Sequence, residues 1–237
     1  MIKKILLSFI SISILGSISA QNIQVHYDLG KDRKYVTTTL EMFKPDQWGS
    51  TFFFVDFDYD SNNVDGVSLA YMEFSRALRF WDNPFALQLE YNGGFGQYRF
   101  GSTSGVYQIN DAWLAGGQYT WNNNDYTRIF TLQGLYKYIR DKHDASFQIT
   151  GVWVMHFRNQ TITFMGFADF WREDNTWQTN PDFMDFHRTK FVFLTEPQLW
   201  YNFNEHFSLG GEVEVSSNFA GNEGFMVNPT VAVKWTF

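Results

Sequence analysis

Between Gly49 and Asp60 the chain reads GSTFFFVDFDYD, and its alternate residues fall into two sets of different character. Phe53, Val55, Phe57 and Tyr59 make one set, all aromatic or branched; Phe52, Phe54, Asp56 and Asp58 make the other, which turns acidic. A period of two belongs to an extended strand, whose successive side chains leave on opposite faces. One such stretch fits a half-buried strand of any protein. The constraint comes from its recurrence over twelve segments: Ile23–Asp28, Tyr35–Lys44, Ser50–Asp60, Gly66–Trp81, Phe85–Gly96, Ile109–Trp121, Thr127–Arg140, Ala145–Phe157, Thr161–Trp171, Lys190–Phe203, Phe207–Phe219 and Met226–Phe237.

The expected class is therefore all-β. The remaining question is what the apolar faces pack against. Aromatic residues make up 20% of the chain, about twice the share of an ordinary globular domain, yet mean hydropathy is only −0.29. No segment after the N-terminal region approaches the ~18 uninterrupted apolar residues of a membrane helix. A chain rich in aromatics, poor in helix signals and only moderately hydrophobic fits a single transmembrane antiparallel β-barrel, in which half of each strand meets lipid and half a polar lumen. Segments of ten residues or so can cross a bilayer, and an even strand number is the rule for bacterial single-chain barrels.

The start of the chain agrees with export. Lys3 and Lys4 precede an apolar run from Ile5 to Leu15, followed by small residues ending at Ala20. That is the layout of a signal peptide, so Met1–Ala20 is expected to be removed and residues 21–237 to form the barrel. About eleven apolar residues are too few for a spanning anchor. Removing Lys3 and Lys4 takes the formal net charge from −7 to −9, which disfavours nucleic acid as a partner. With no Cys, the fold relies on burial and backbone pairing alone.

The connections add a second, independent pattern. Alternate turns fall on one side: Pro45–Trp48, Asp82–Pro84, Asn122–Asp125, Arg158–Gln160 and Asn204–His206, all short and rich in Asn, Asp or Pro. The other side takes both long connections, Gln97–Gln108 and Arg172–Thr189. Short periplasmic turns against longer external loops is the barrel asymmetry. No internal repeat or linker divides the chain. The last strand alternates Val231, Val233, Trp235 and Phe237 against Thr230, Ala232, Lys234 and Thr236. A terminal aromatic after such alternation looks like the signal read by the outer-membrane assembly machinery.

Ile23-Gln24-Val25-His26-Tyr27, Val36–Phe43 and Phe52-Phe53-Phe54-Val55-Asp56 resemble the nucleoside-specific channel-forming, Tsx-like family of outer-membrane porins, and more closely a Bacteroidota branch of it without assigned function. The likeness continues through Gly66–Trp81, Glu90–Gly94 and the Trp-Asn-Asn turn after Tyr119. It implies a monomeric twelve-stranded barrel in the outer membrane of a Gram-negative bacterium, in contact with lipid and passing nucleosides. The family's nucleoside sites do not transfer residue by residue.

Catalytic signatures are absent: there is no HExxH or GxSxG, and His26, His143, His156, His187 and His206 lack metal-ligand spacing. No enzyme activity, metal or cofactor is expected. His206 beside Ser208 imitates the nucleophile pair of a lipid-modifying barrel, but a turn explains His206 equally well. With aromatics fixing the lipid face, the inward set is Glu41, Asp56, Asp58, Glu90, Lys137, Asp169, Glu196, Gln198, Asn202, Glu212, Glu214 and Lys234, joined by Phe52, Phe54, Trp171 and Trp200. Candidate solute-binding residues are Phe52, Phe54, Asp56, Asp58, Glu90, Asp169, Trp171, Glu196, Gln198, Trp200 and Glu212. Aromatic faces stack on bases, and carboxylates accept hydrogen bonds from ribose hydroxyls. The competing expectation is structural, because buried charges pair with one another in many barrel interiors. Glu73 and Arg76, an odd number apart, require a bulge or a rim position; Pro197, in mid-strand, requires a bulge. The expected function is a passive channel for small polar solutes, with nucleosides the class that the resemblance implies; a closed barrel serving as a surface binding or scaffold protein is the alternative.

Overall fold

A computed structural model describes residues 20–31, 33–142, 145–180 and 185–237. Its strands are β1 (Ala20–Asp28), β2 (Val36–Asp46), β3 (Gly49–Tyr59), β4 (Val67–Leu78), β5 (Phe85–Phe100), β6 (Thr103–Asn122), β7 (Arg128–Ile139), β8 (Ser146–Phe157), β9 (Ile162–Asn180), β10 (Asp185–Thr195), β11 (Gln198–Asn202), β12 (Phe207–Ser217) and β13 (Phe225–Thr236). The expected signal peptide lies outside the described residues, save for Ala20, which opens β1. Apart from β10 and β11, which do not pair with each other, successive strands pair antiparallel, and β1 pairs with β13 from Asn22↔Thr236 to Asp28↔Thr230. β10 and β11 are successive stretches of one barrel strand, since both pair with β9 and with β12. The result is a closed antiparallel barrel of twelve strands, without a helix among the described residues. Closure leaves no unpaired sheet edge.

The two-residue period sorts the side chains as expected. Phe52, Phe54, Asp56 and Asp58 line the lumen, whereas Phe53, Val55, Phe57 and Tyr59 face out. On the outer face Leu87, Leu89, Leu132, Ile149, Leu199 and Val231 stay close to half exposed with nothing packed on them. Trp48, Trp81, Trp121, Phe203 and Trp235 ring the rim that carries the chain ends. An apolar band with aromatics at its border is the surface a bilayer requires, because amphipathic rings settle at the headgroup level.

Short turns close that rim. In the turn after β6, Asn123 Oδ1 accepts from the Arg128 amide at 2.8 Å, and Asp125 Oδ1 accepts from the Thr127 hydroxyl at 2.8 Å. The Thr127 hydrogen bonds hold the Asp125 carboxyl below its usual range.

Two sequence expectations change and a third is resolved between its alternatives. The long connections are not loops: β5 and β6 continue as a paired hairpin to Phe100↔Thr103, and β9 and β10 pair out to Asn180↔Asp185. Arg76 takes the rim solution, donating from Nη1 and Nη2 to the two oxygens of Asp46 at 2.6 and 2.9 Å, while Glu73 lines the lumen. Pro197 makes no bulge. Thr195 stands opposite Ala168 and Val215, and Gln198 opposite Met165 and Glu212, so the residue count is unbroken on both sides. Lacking an N–H, proline interrupts the ladder without inserting a residue. Gly166 accommodates the gap: its φ is +153°, and a Cβ there would meet the Glu196 carbonyl oxygen at 2.4 Å. The nearby register shift falls instead between Thr189 and Phe191.

Candidate functional site

One cavity of about 3070 Å³ occupies the barrel. Its lining runs from Asn83, Gln160 and Asn204 in turns at the chain-end rim to Asn62 and Asn222 in connections at the other. Between the rims the strands contribute Glu41, Asp56, Asp58, Glu73, Glu90, Asp169, Glu196, Glu212 and Glu214, against Lys137 and Lys234. The lumen is strongly acidic.

The predicted residues divide by what holds them. Asp56 accepts from the Thr39 hydroxyl and Asp58 from the Thr37 hydroxyl, each at 2.6 Å. Those hydroxyls sit directly opposite on β2, so both carboxylates are set by cross-strand pairs. Asp169 accepts from Thr150 at 2.5 Å. Glu212 accepts from Gln198 Nε2 at 3.0 Å. Glu196 lies within electrostatic reach of Glu212, Glu214, Asp56 and Glu73, so acids from β3, β4 and β12 share one region of the bore with it. Phe52 and Phe54 pack with ring centroids 6.1 Å apart, and Phe54 continues to Tyr71 at 6.0 Å. All three rings line the cavity and remain partly exposed.

The inward tryptophans differ from expectation. Trp200 is 0% exposed. Its indole lies over Gly210, where a Cβ would meet Cε3 at 2.7 Å. The Lys234 ammonium sits 3.9 Å from the ring centroid, His26 meets it edge-on at 6.0 Å, and Nε1 donates to Gln198 Oε1 at 2.9 Å. Trp171 is also buried, under Lys137 at 4.3 Å, with Phe219 edge-on at 5.9 Å. A ring covered by the protein's own ammonium has no free face for a solute. Both indoles therefore serve as platforms for lysines. The accessible aromatic row is Phe52, Phe54 and Tyr71; Tyr71 and Glu73 were missed in the sequence because β4 gave conflicting face assignments.

Other inward groups are tied down. Arg33, in the connection after β1, reaches Glu214 through both Nη atoms at 2.9 and 3.0 Å and Asp28 at 3.3 Å. Glu214 also accepts from Asn228 and Ser216, which makes it structural. Inside β6–β10 an apolar cluster of Leu114, Leu135, Val192, Leu194 and Trp171 takes up part of the bore. The imitation nucleophile pair does not form: His206 donates from Nδ1 to the Thr236 carbonyl and stacks on Trp235, whereas Ser208 donates to Asn202. His143 lies outside the described residues. Among the described residues no three His, Cys, Asp or Glu stand close enough to hold a metal ion.

Two solved structures with a similar architecture are porins. The NanC porin superposes with a TM-score of 0.57 at 11% identity, covering 92% of this chain and all (100%) of that one. The KdgM porin in complex with disordered oligogalacturonate gives 0.50 at 12% identity, covering 93% and 99%. At such identity the likeness establishes the fold. No curated protein matches in sequence. Residues 20–237 match the family described as domain of unknown function DUF5020, and the chain belongs to that family.

Proposed function

We propose that the barrel is an outer-membrane channel of a Gram-negative bacterium, passing small polar solutes, with nucleosides as the first class to test. The observation that carries this reading is the continuous cavity, lined by residues of both rims inside a wall with an apolar outer face. Twelve strands give a bore between the filled eight-stranded barrel and the open sixteen-stranded porin, a width suited to one small solute. The row Phe52–Phe54–Tyr71 offers aromatic faces worth ~1–3 kcal/mol per stacked base, and the carboxylates beside it accept hydroxyl donors. The Tsx-like resemblance points to the same class. The acidic lining disfavours polyanions such as the oligogalacturonate bound by one structural neighbour. Weak binding is expected, since a channel must release what it takes up.

Planar-bilayer conductance with and without nucleoside, backed by uptake into liposomes, tests the reading. Conductance blocked by nucleosides but not by sugars of similar size supports it; conductance indifferent to both leaves a general pore. The inner apolar cluster favours a second reading, a closed barrel acting as a surface binding or scaffold protein. Folded protein without conductance would establish that one instead.

A further inference from the structure

The acids of the lumen do not all share the same surroundings. Around Glu73 the structure gathers acceptors from three strands. Glu73 on β4 stands opposite Asn92 on β5, two residues along the same face from Glu90. It lies within electrostatic reach of Glu90 and of Asp169 on β9, from the far wall of the bore. Tyr71 donates its hydroxyl to Glu73 Oε1 at 2.7 Å, which leaves that carboxylate's other oxygen open. Asn92 lines the same cavity, is 6% exposed, and its Oδ1 has no hydrogen-bond partner. A buried acceptor without a donor is costly, on the order of 1–3 kcal/mol by usual measures, and a donor brought by a solute would relieve that cost.

The protein's own cation, Lys137, lies within electrostatic reach of Glu73, Glu90 and Asp169, one positive charge against three acids, but its hydrogen bond is directed elsewhere. Lys137 gives a 2.7 Å hydrogen bond to Gln148 and rests on the Trp171 ring. What remains is a set of acceptors, Glu73, Glu90, Asp169 and Asn92 Oδ1, beside the faces of Tyr71 and Phe54. Among the described residues the acids are too spread for one metal ion. Acceptors spread around an aromatic face suit an extended cation with several N–H donors, which can hydrogen-bond to more than one carboxylate and lie against a ring.

We infer that this region is a binding site for small organic cations carrying an ammonium or guanidinium group, and that such solutes are a class the barrel passes. The inference rests on the channel reading for transport, but binding itself does not require conduction.

Agmatine, which carries both groups, is the probe. In planar bilayers it should reduce the potassium current through the wild-type barrel saturably, beyond the effect of extra potassium at equal ionic strength. Glu73→Gln should weaken the block about tenfold, as loss of a charge-assisted hydrogen bond does. Asn92→Leu removes that acceptor together with the amide's hydrogen bond to Glu90, and no charge. It should weaken agmatine block several-fold, by roughly the value of one hydrogen bond, while the potassium-over-chloride reversal potential stays unchanged. Glu90→Gln provides a second charge variant if Glu73→Gln folds poorly, with folding read from heat-dependent gel migration. Agmatine acting no differently from potassium, or blocking Asn92→Leu as well as wild type, would overturn the site. If folded wild-type barrel does not conduct, calorimetric titration of agmatine into the detergent-solubilised protein separates the two ideas. Saturable heat would keep the site while the channel reading falls; absence of heat would overturn the site.

Discussion

Replacing Trp200 with Ala should destabilise the barrel and leave nucleoside binding intact, the reverse of what its inward aromatic face would imply alone. The indole is wholly covered, fills the space over Gly210, and carries Lys234 on its face. Truncating a fully buried Trp in a core costs ~3–5 kcal/mol. Water from the lumen can enter this gap, so the lower end, about 3 kcal/mol, is expected. Of that, about 1–2 kcal/mol belongs to the ammonium over the ring. The assay is urea unfolding in detergent micelles, followed by the difference in gel migration between heated and unheated samples. A double-mutant cycle with Lys234→Met isolates the cation–ring share, because each single change removes the contact. Released from the ring, Lys234 should also turn towards the bore and lower cation selectivity in a salt-gradient reversal potential. Phe54→Ala is the contrasting variant: its partly open ring should matter for nucleoside block and little for stability. A Trp200→Ala barrel as stable as wild type but blind to nucleosides would refute this account and restore Trp200 as a stacking face.

Three further outcomes follow from the geometry. Asp56→Asn combined with Glu196→Gln should reduce cation selectivity without loss of folding, measured as a smaller reversal potential under a potassium chloride gradient, since both carboxylates share one region of the bore. Gly166→Ala should destabilise by roughly 2–4 kcal/mol in urea titration, because it adds a Cβ 2.4 Å from the Glu196 carbonyl oxygen at a left-handed φ. Removing Phe237 should impair insertion into the outer membrane while export across the inner membrane continues; normal levels in outer-membrane fractions would show that this aromatic is incidental.

The faces of the strands were legible because lipid and lumen make opposite demands on alternate residues. Phe53, Val55 and Phe57 could only face out, and Asp56 and Asp58 only in. The same logic explains the misreading of Gln97–Gln108 and Arg172–Thr189. Beyond the apolar band both faces of a hairpin meet water, so alternation fades although backbone pairing continues from Gln97↔Val106 to Phe100↔Thr103. Pro197 was read as a bulge because a missing donor and an extra residue disrupt a ladder alike; only the register separates them. Alternation also says which wall a side chain leaves, never what lies on top of it. Trp200 lost its free face to Lys234, 34 residues further along the chain, through the space left by Gly210, and no spacing rule joins those three positions. Glu73 was obscured by Arg76 because residues an odd number apart leave opposite walls and one of the two had to be placed otherwise; the Asp46 pair puts Arg76 at the rim.

The pairing of β1 with β13 has a consequence for the order of events in the cell. Each other seam joins successive strands of the barrel, but this one joins its first strand with its last, and the Phe237 amide donates to the Gln21 carbonyl within it. A partly made chain can form hairpins yet has no partner for the β1 edge. Until β13 arrives, that edge remains sticky, open to another chain or to whatever escorts it. The ring therefore closes only once β13 has been made. A carrier that holds β1 apart through transit, and releases it as β13 docks, would guard the one junction that local folding cannot make.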